Sequence, residues 1–231
     1  GKVYKGGEGR VLALKNMDLR VETGEIIGIL GPNGAGKTTA VKLIMGLIRP
    51  SEGEIIFKDR PLDPSHIRSG IGYLPESFRP NPNLTVGEYV TMHCRLAGLS
   101  AEADRQAKDL LKQVGMDKFL NRRISNLSKG MGQRVGMAQA FAGEPDFLIL
   151  DEPTSGLDPI GKSEVIEFLL QMKERGKTIL FCSHILSEVE RLCDRIGIMV
   201  RGNLNFVGTV PDFLEKWQVD DLEKGFKMEA Q

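Results

Sequence analysis

The sequence predicts an α/β fold, a sheet covered by helices on both faces and interrupted by an inserted helical subdomain. Three observations predict it. Four short apolar segments, Glu25 to Leu30, Phe147 to Leu150, Thr178 to Cys182 and Ile196 to Val200, run without polar alternation, as strands do when both faces are covered. Helical patterns lie between these segments. From Thr85 to about Ala142 the pattern is helical throughout.

Each element follows from local chemistry. Ile71 to Leu74 is a further strand candidate, and Leu12 to Val21 alternates in part, which predicts antiparallel strands early in the chain. After Lys37 the apolar series Val41, Ile44 and Met45 marks a helix. Asp158-Pro159 reads as an N-cap followed by Pro at the first helical position, and Val165, Leu169 and Met172 continue that helix on one face. In the middle of the chain Thr85 and Glu88 form a capping box, with Tyr89, Val90 and Ala97 on the face behind it. Ala107, Leu110, Leu111 and Val114 mark a second amphipathic helix, and a third runs from about Gly130 to Ala142. The loop Ser77 to Asn83 carries prolines that disfavour regular structure. The expected organisation is therefore an α/β core over 1–84 and 144–210, an inserted helical subdomain over 85–143, and a C-terminal helix or tail over 211–231. In that last stretch Phe213 and Trp217 pack a short helix on the core, and the final residues read as a charged surface tail.

Composition bounds the function. A chain of 231 residues with 41% hydrophobic and 27% charged residues is globular rather than disordered. The formal net charge is zero, so no nucleic-acid partner is expected from whole-chain charge. Cys94, Cys182 and Cys193 are odd in number and form no CxxC pair, which argues against a disulfide framework or zinc site and fits a reducing compartment. No apolar run reaches the roughly 18 to 20 residues that span a bilayer, and no signal peptide opens the chain. Service to a membrane would require docking on a separate membrane protein.

Gly31-Pro32-Asn33-Gly34-Ala35-Gly36-Lys37-Thr38 matches GxxxxGK[ST] in full, after an apolar strand and before a helix. Glycines let backbone N–H groups close around phosphate oxygens, and the helix N-terminus adds a favourable field. Lys37 is the group that reaches the β- and γ-phosphates, and Thr38 offers its hydroxyl to Mg²⁺; Thr39 completes the phosphate-binding segment. The fold class sharpens to a P-loop NTPase core of the RecA-like kind. Phe147 to Asp151-Glu152 supplies the acids such a cradle needs. Asp151 is placed to hold Mg²⁺ at the carboxyl end of its strand, and Glu152 is the candidate general base for the attacking water.

These residues together resemble the nucleotide-binding domain of ABC transporters, over nearly the whole chain. Leu127-Ser128-Lys129-Gly130-Met131 looks like the family's LSGGQ signature, with Lys129 and Met131 replacing Gly and Gln, and Gln133-Arg134 follow as in many members. Ser128 and Gly130 are then the residues that contact the γ-phosphate bound to the opposite subunit. Ser155-Gly156-Leu157-Asp158 matches the D-loop at the dimer interface, His184 matches the switch histidine, and Tyr4 stands at the expected distance for the aromatic that stacks on adenine. Gly72-Tyr73-Leu74-Pro75-Glu76 matches the Q-loop with Glu76 in place of Gln, which keeps an oxygen for Mg²⁺ and loses an amide donor. His66 and His93 have no such context and receive no role. Pro75-Glu76 with Ser128-Lys129-Gly130-Met131 resembles the branch paired with ABC-2-type permeases, mostly exporters of bacteria and archaea.

The resemblance implies an ATPase using ATP and Mg²⁺. It also implies a head-to-tail homodimer, or a heterodimer with a related ATPase subunit, and an integral membrane permease as partner. Its place would be peripheral, on the cytoplasmic face of the cell membrane. Two rivals are weaker. Soluble ABC-type ATPases acting on nucleic acid or ribosomes usually show coiled coils or two cassettes, and none is read here. A generic P-loop kinase or GTPase would lack the signature, D-loop and switch histidine together.

Overall fold

A computed structural model describes residues 1–6, 9–15, 17–62 and 70–230; His66 lies outside the described residues. In chain order the elements begin with strands β1 (Lys2–Gly6), β2 (Gly9–Leu14) and β3 (Ile26–Leu30), then helix α1 (Lys37–Ile44). Strands β4 (Ile56–Phe57), β5 (Arg60–Pro61) and β6 (Ile71–Leu74) follow. Next come helices α2 (Val86–Leu96), α3 (Ala103–Gln113) and α4 (Lys129–Ala140), strand β7 (Phe147–Asp151) and helix α5 (Pro159–Glu174). The chain ends with β8 (Thr178–Ser183), α6 (Leu186–Leu192), β9 (Arg195–Val200), β10 (Asn203–Gly208), α7 (Val210–Trp217) and α8 (Leu222–Glu229). The chain divides into two compact units, Gly1–Ile67 with Thr178–Gln231, and Arg68–Lys177.

In the first unit β3 lies between two parallel neighbours, β8 and β9, and β10 returns antiparallel to β9. Ile26, Ile27, Ile29 and Leu30 of β3 and Ile179, Leu180, Phe181 and Cys182 of β8 are at most 1% exposed. Burial on both faces is why these strands carry no polar alternation. β1 pairs antiparallel with β2, with Tyr4 opposite Val11. The strand expected over Leu12 to Val21 ends at Leu14; residues 17–22 join no ladder.

In the second unit β6 runs parallel to β7, from Ile71 opposite Phe147 to Leu74 opposite Leu150. Helices α2, α3 and α4 pack together, burying Val86, Val90, Cys94, Leu111 and Val135. The Thr85–Glu88 capping box forms: the Thr85 hydroxyl accepts from the Glu88 N–H at 3.3 Å, and the Glu88 carboxylate accepts from the Thr85 N–H at 2.8 Å. The Thr85 N–H, together with the Thr85 hydroxyl 2.9 Å from the same carboxylate oxygen, holds the Glu88 carboxyl below its ordinary pKa. Thr85→Ala is expected to cost about 1 kcal/mol, read as a lower urea midpoint at unchanged slope. An unchanged midpoint would remove the cap from the account. Phe78 ties the loop that follows β6 edge-on to Tyr89, with ring centroids 5.9 Å apart.

α4 lies so close over β6 that a Cβ on Gly72 would sit 1.9 Å from the Ala140 carbonyl oxygen and 2.8 Å from Pro145 Cγ. Asp158 caps α5 as the sequence predicts, accepting from the Gly161 N–H at 2.8 Å, with Pro159 behind it.

The C-terminal end differs from its expectation. The last residues form helix α8 rather than a charged tail. Asp221 caps it, Leu222 is 2% exposed, and Glu229 accepts from Trp217 Nε1 at 2.8 Å and from Lys216 at 2.6 Å. The mixed charges that suggested a tail include pairs one helical turn apart, Lys224 with Asp220 and Lys227 with Glu223. Phe213, expected on the core, is fully buried. Cys94 and Cys182 are buried and Cys193 is half-buried.

Candidate active site

In the first unit the segment between β3 and α1 turns tightly around its own backbone. A Cβ on Gly31 would meet the Met199 carbonyl oxygen at 2.4 Å, so no larger residue fits there. Gly36 stands before α1 at φ 109, a region that L side chains rarely adopt, and Gly34 is also left-handed at φ 82. The turn is closed by the Ala35 N–H on the Pro32 carbonyl at 3.1 Å. α1 begins with no side-chain cap and no acid in its first turn. Its first N–H groups, from Lys37, Thr38 and Thr39, therefore stay available to an anion, and the helix field favours one.

Lys37 is 8% exposed, and its ammonium donates to the carbonyls of Gly31 at 2.5 Å and Pro32 at 3.4 Å. Its charge is thus held over the loop, where phosphate oxygens would gather. Pro32, Asn33, Gly34 and Thr38 are exposed, while Gly31 and Ala35 are buried beneath them. Tyr4 is 38% exposed on β1, with the Lys2 ammonium 5.4 Å from its ring centroid. It offers a flat aromatic face on a strand.

His184 is exposed just after β8. Ser183 sets its exit from the strand. That residue is fully buried, its hydroxyl accepts from the Ile185 N–H at 3.0 Å, and it lies 3.4 Å from a Glu188 carboxylate oxygen. Ser183 and Glu188 escaped the sequence reading because a serine at a strand end and an acid in a short helix carry no motif.

In the second unit β7 delivers Asp151 at 2% exposure, and Glu152 follows at 6% exposure with φ 53. The Glu152 carbonyl accepts from the Ser155 N–H at 3.0 Å and from Gln133 Nε2 at 3.3 Å. Ser128 caps α4, its hydroxyl accepting from the Met131 N–H at 3.2 Å. Gly130 lies against the loop before α5, where a Cβ would come 3.1 Å from Leu157 Cδ2. Glu76 and Ser128 line one cavity of about 390 Å³, together with Lys129, Gln133 and Ser155. The structure thus brings Glu76 and Ser128 to a common space. Asp158 serves as a helix cap. The sequence places Lys129 within the signature, Gln133 just after it and Ser155 in the D-loop, and the motif match alone does not show what their side chains touch.

Thr38 in the first unit and Glu76 and Asp151 in the second each carry a hard oxygen of the kind that Mg²⁺ takes. Among the described residues no group of three or more His, Cys, Asp or Glu forms a metal cage. Among the described residues no helix is long and apolar enough to cross a membrane.

Comparison with known proteins points the same way. The ABC transporter family model matches residues 14–155. An uncharacterized ABC transporter ATP-binding protein of Nostoc sp. is 44% identical over 219 residues, covering 92% of this chain and 65% of that protein. The Nod factor export ATP-binding protein I of Burkholderia orbicola is 39% identical over 198 residues, covering 84% of this chain and 65% of that protein. The chain thus spans just under two thirds of the length of either relative. The ATP-binding cassette MJ0796, solved as a dimer in a post-hydrolysis state bound to ADP and Pi, superposes with a TM-score of 0.85 at 30% identity, covering 90% of this chain and 95% of that one. The family model covers more than half of the chain, and the chain belongs to the family of ABC transporter ATP-binding proteins.

Proposed function

We propose that the chain is the ATP-binding and hydrolysing subunit of an ABC transporter, powering translocation through a separate membrane permease. The observation that carries this is the phosphate cradle: a helix start without a competing side-chain cap, with Lys37 held over the loop, in a chain of this family. ATP binds through Gly31 to Thr39 and its adenine stacks on Tyr4. Glu152 takes a proton from the attacking water, and His184 orients that water at the γ-phosphate. Lys37 stabilises the charge that develops on the transferred group. Thr38, Asp151 and Glu76 are the residues that would hold Mg²⁺, which neutralises charge on the phosphates.

Two subunits face each other head to tail, and each ATP is held between one subunit's cradle and the Ser128–Gly130 segment of the other. ATP binding closes the pair, and hydrolysis with phosphate release opens it. The partner subunit is a second copy or a related ATPase. The inserted helical segment over 85–143 and the loop at Glu76 face the permease, on the cytoplasmic side of the membrane. The Pro75-Glu76 and Ser128-Lys129-Gly130-Met131 motifs favour an ABC-2-type exporter, as does the likeness to a protein named for Nod factor export.

Phosphate release from ATP by the purified chain tests the ATPase reading. Release is expected to stop on chelation of divalent cations and to return with added Mg²⁺. A chain that releases no phosphate at any ATP-Mg²⁺ concentration sinks it. The permease is identified as the membrane protein that co-purifies in detergent, and its number of spans and its cargo decide between exporter and importer.

A further inference from the structure

Helix α4 touches the turn after β7 at two places one helical turn apart. Gln133 is 5% exposed and donates from Nε2 to the Glu152 carbonyl at 3.3 Å. Lys129, four residues earlier and so on the same face, lays its stem across Gly156. A Cβ on Gly156 would come 2.6 Å from Lys129 Cδ, and the ammonium lies 3.5 Å from Ser155 Oγ.

The turn these contacts hold is a strained one. Glu152 has φ 53, in the left-handed region that a residue with a Cβ disfavours. Such a conformation persists where its surroundings over-determine it. The Ser155 N–H and the Gln133 amide both hold the peptide plane after Glu152. The Ser155 N–H belongs to the turn itself. The Gln133 amide comes from outside the turn, from the helix that Ser128 caps.

We propose that Gln133 is a positioning residue, whose amide fixes the backbone of Glu152 and so the direction in which its carboxylate leaves the chain. The same amide ties that direction to α4, the helix whose N-terminus meets the nucleotide of the opposite subunit. A shift of α4 on engaging that nucleotide then reaches Glu152 through one hydrogen bond. This rests on the reading of Glu152 as the base and of α4 as the signature helix. Lys129 steadies the same turn further along and has the smaller effect, because its side chain is exposed.

The test uses the whole chain. Gln133→Leu keeps the bulk and removes the donor. Its kcat for ATP is expected to fall roughly ten- to a hundredfold, the scale of a misplaced reacting group, while KM for ATP stays within about twofold, since no nucleotide contact is lost. Gln133→Glu places a carboxyl there that donates only when protonated. Its kcat relative to wild type is expected to rise as pH falls, whereas the ratio for Gln133→Leu stays level. If Gln133→Leu fails to fold, Gln133→Met carries the same expectation. The inference is overturned by a kcat within about twofold of wild type, by KM rising in step with the loss of kcat, or by a level pH ratio for Gln133→Glu. A wild-type chain that turns over no ATP defeats the functional reading as well. An active wild type with an unaffected Gln133→Leu defeats this inference alone.

Discussion

Glu152→Gln is expected to bind ATP and to hydrolyse it about 10²- to 10⁴-fold more slowly than wild type, the usual worth of a general base. Glutamine keeps the size of the side chain, so the buried turn at Glu152 survives. It cannot accept a proton from water at neutral pH, so the chemical step slows while the cradle around Lys37 is untouched. ATP then stays bound, and because ATP belongs to the interface in the proposed dimer, the dimer outlives the run on a sizing column. The pair of results is specific. Slow turnover with persistent ATP-Mg²⁺-dependent dimers supports the composite site. A variant that hydrolyses ATP at the wild-type rate removes Glu152 from the chemistry. Monomers alone, at saturating ATP-Mg²⁺ and high protein concentration, remove the dimer.

Gly72→Ala carries the largest expected effect on stability. The new methyl would meet a backbone oxygen, Ala140 O, at 1.9 Å, and a carbonyl in α4 cannot swing aside as a flexible side chain can. Overpacking of this kind costs about 1–3 kcal/mol and sometimes more; a backbone obstacle puts Gly72→Ala near ~3 kcal/mol. At roughly 2–4 °C per kcal/mol for a chain of this size, the midpoint of thermal unfolding falls by about 6–12 °C. Gly132→Ala is the matched control. It lies in the same helix, and a Cβ there meets nothing within 4 Å. Replacing a helical glycine in open space is expected to raise stability by roughly 0.5–1 kcal/mol. Equal melting temperatures for Gly72→Ala and wild type would show that α4 does not sit on β6 as described.

The legible parts of this chain share a physical cause. β3, β7, β8 and β9 were readable because burial on both faces leaves an unbroken apolar record in the sequence. The caps at Thr85 and Asp158 were readable because an N-cap is a local event, settled by residues within one turn. β1 was not. Lys2 to Gly6 holds little apolar material, and its strand exists through pairing with β2. α8 was missed because its anchors are distant in sequence: Phe213 under Gly225, and Trp217 and Lys216 on Glu229. Gly31 to Thr38 could be named from spacing, Asp151 and Glu152 from their place at the end of an apolar strand, and His184 from the family resemblance. Gln133, Ser183 and Glu188 could not, because what they support is a backbone conformation or a turn, which spacing does not encode. His93, which received no role, packs against Tyr89 with ring centroids 4.6 Å apart, and burial lowers its pKa.

Lys37 changes how a weakened cradle should be interpreted. Its ammonium is already shared between the Gly31 and Pro32 carbonyls, so an arriving phosphate oxygen displaces an existing acceptor rather than meeting a naked cation. The lysine is therefore a staple of the loop as well as a ligand for the nucleotide. Truncating it removes both at once, and poor ATP affinity in such a variant mixes a missing contact with a relaxed loop. Hydrogen exchange across residues 31–39 in the nucleotide-free protein separates the two, because only the staple contributes to protection there.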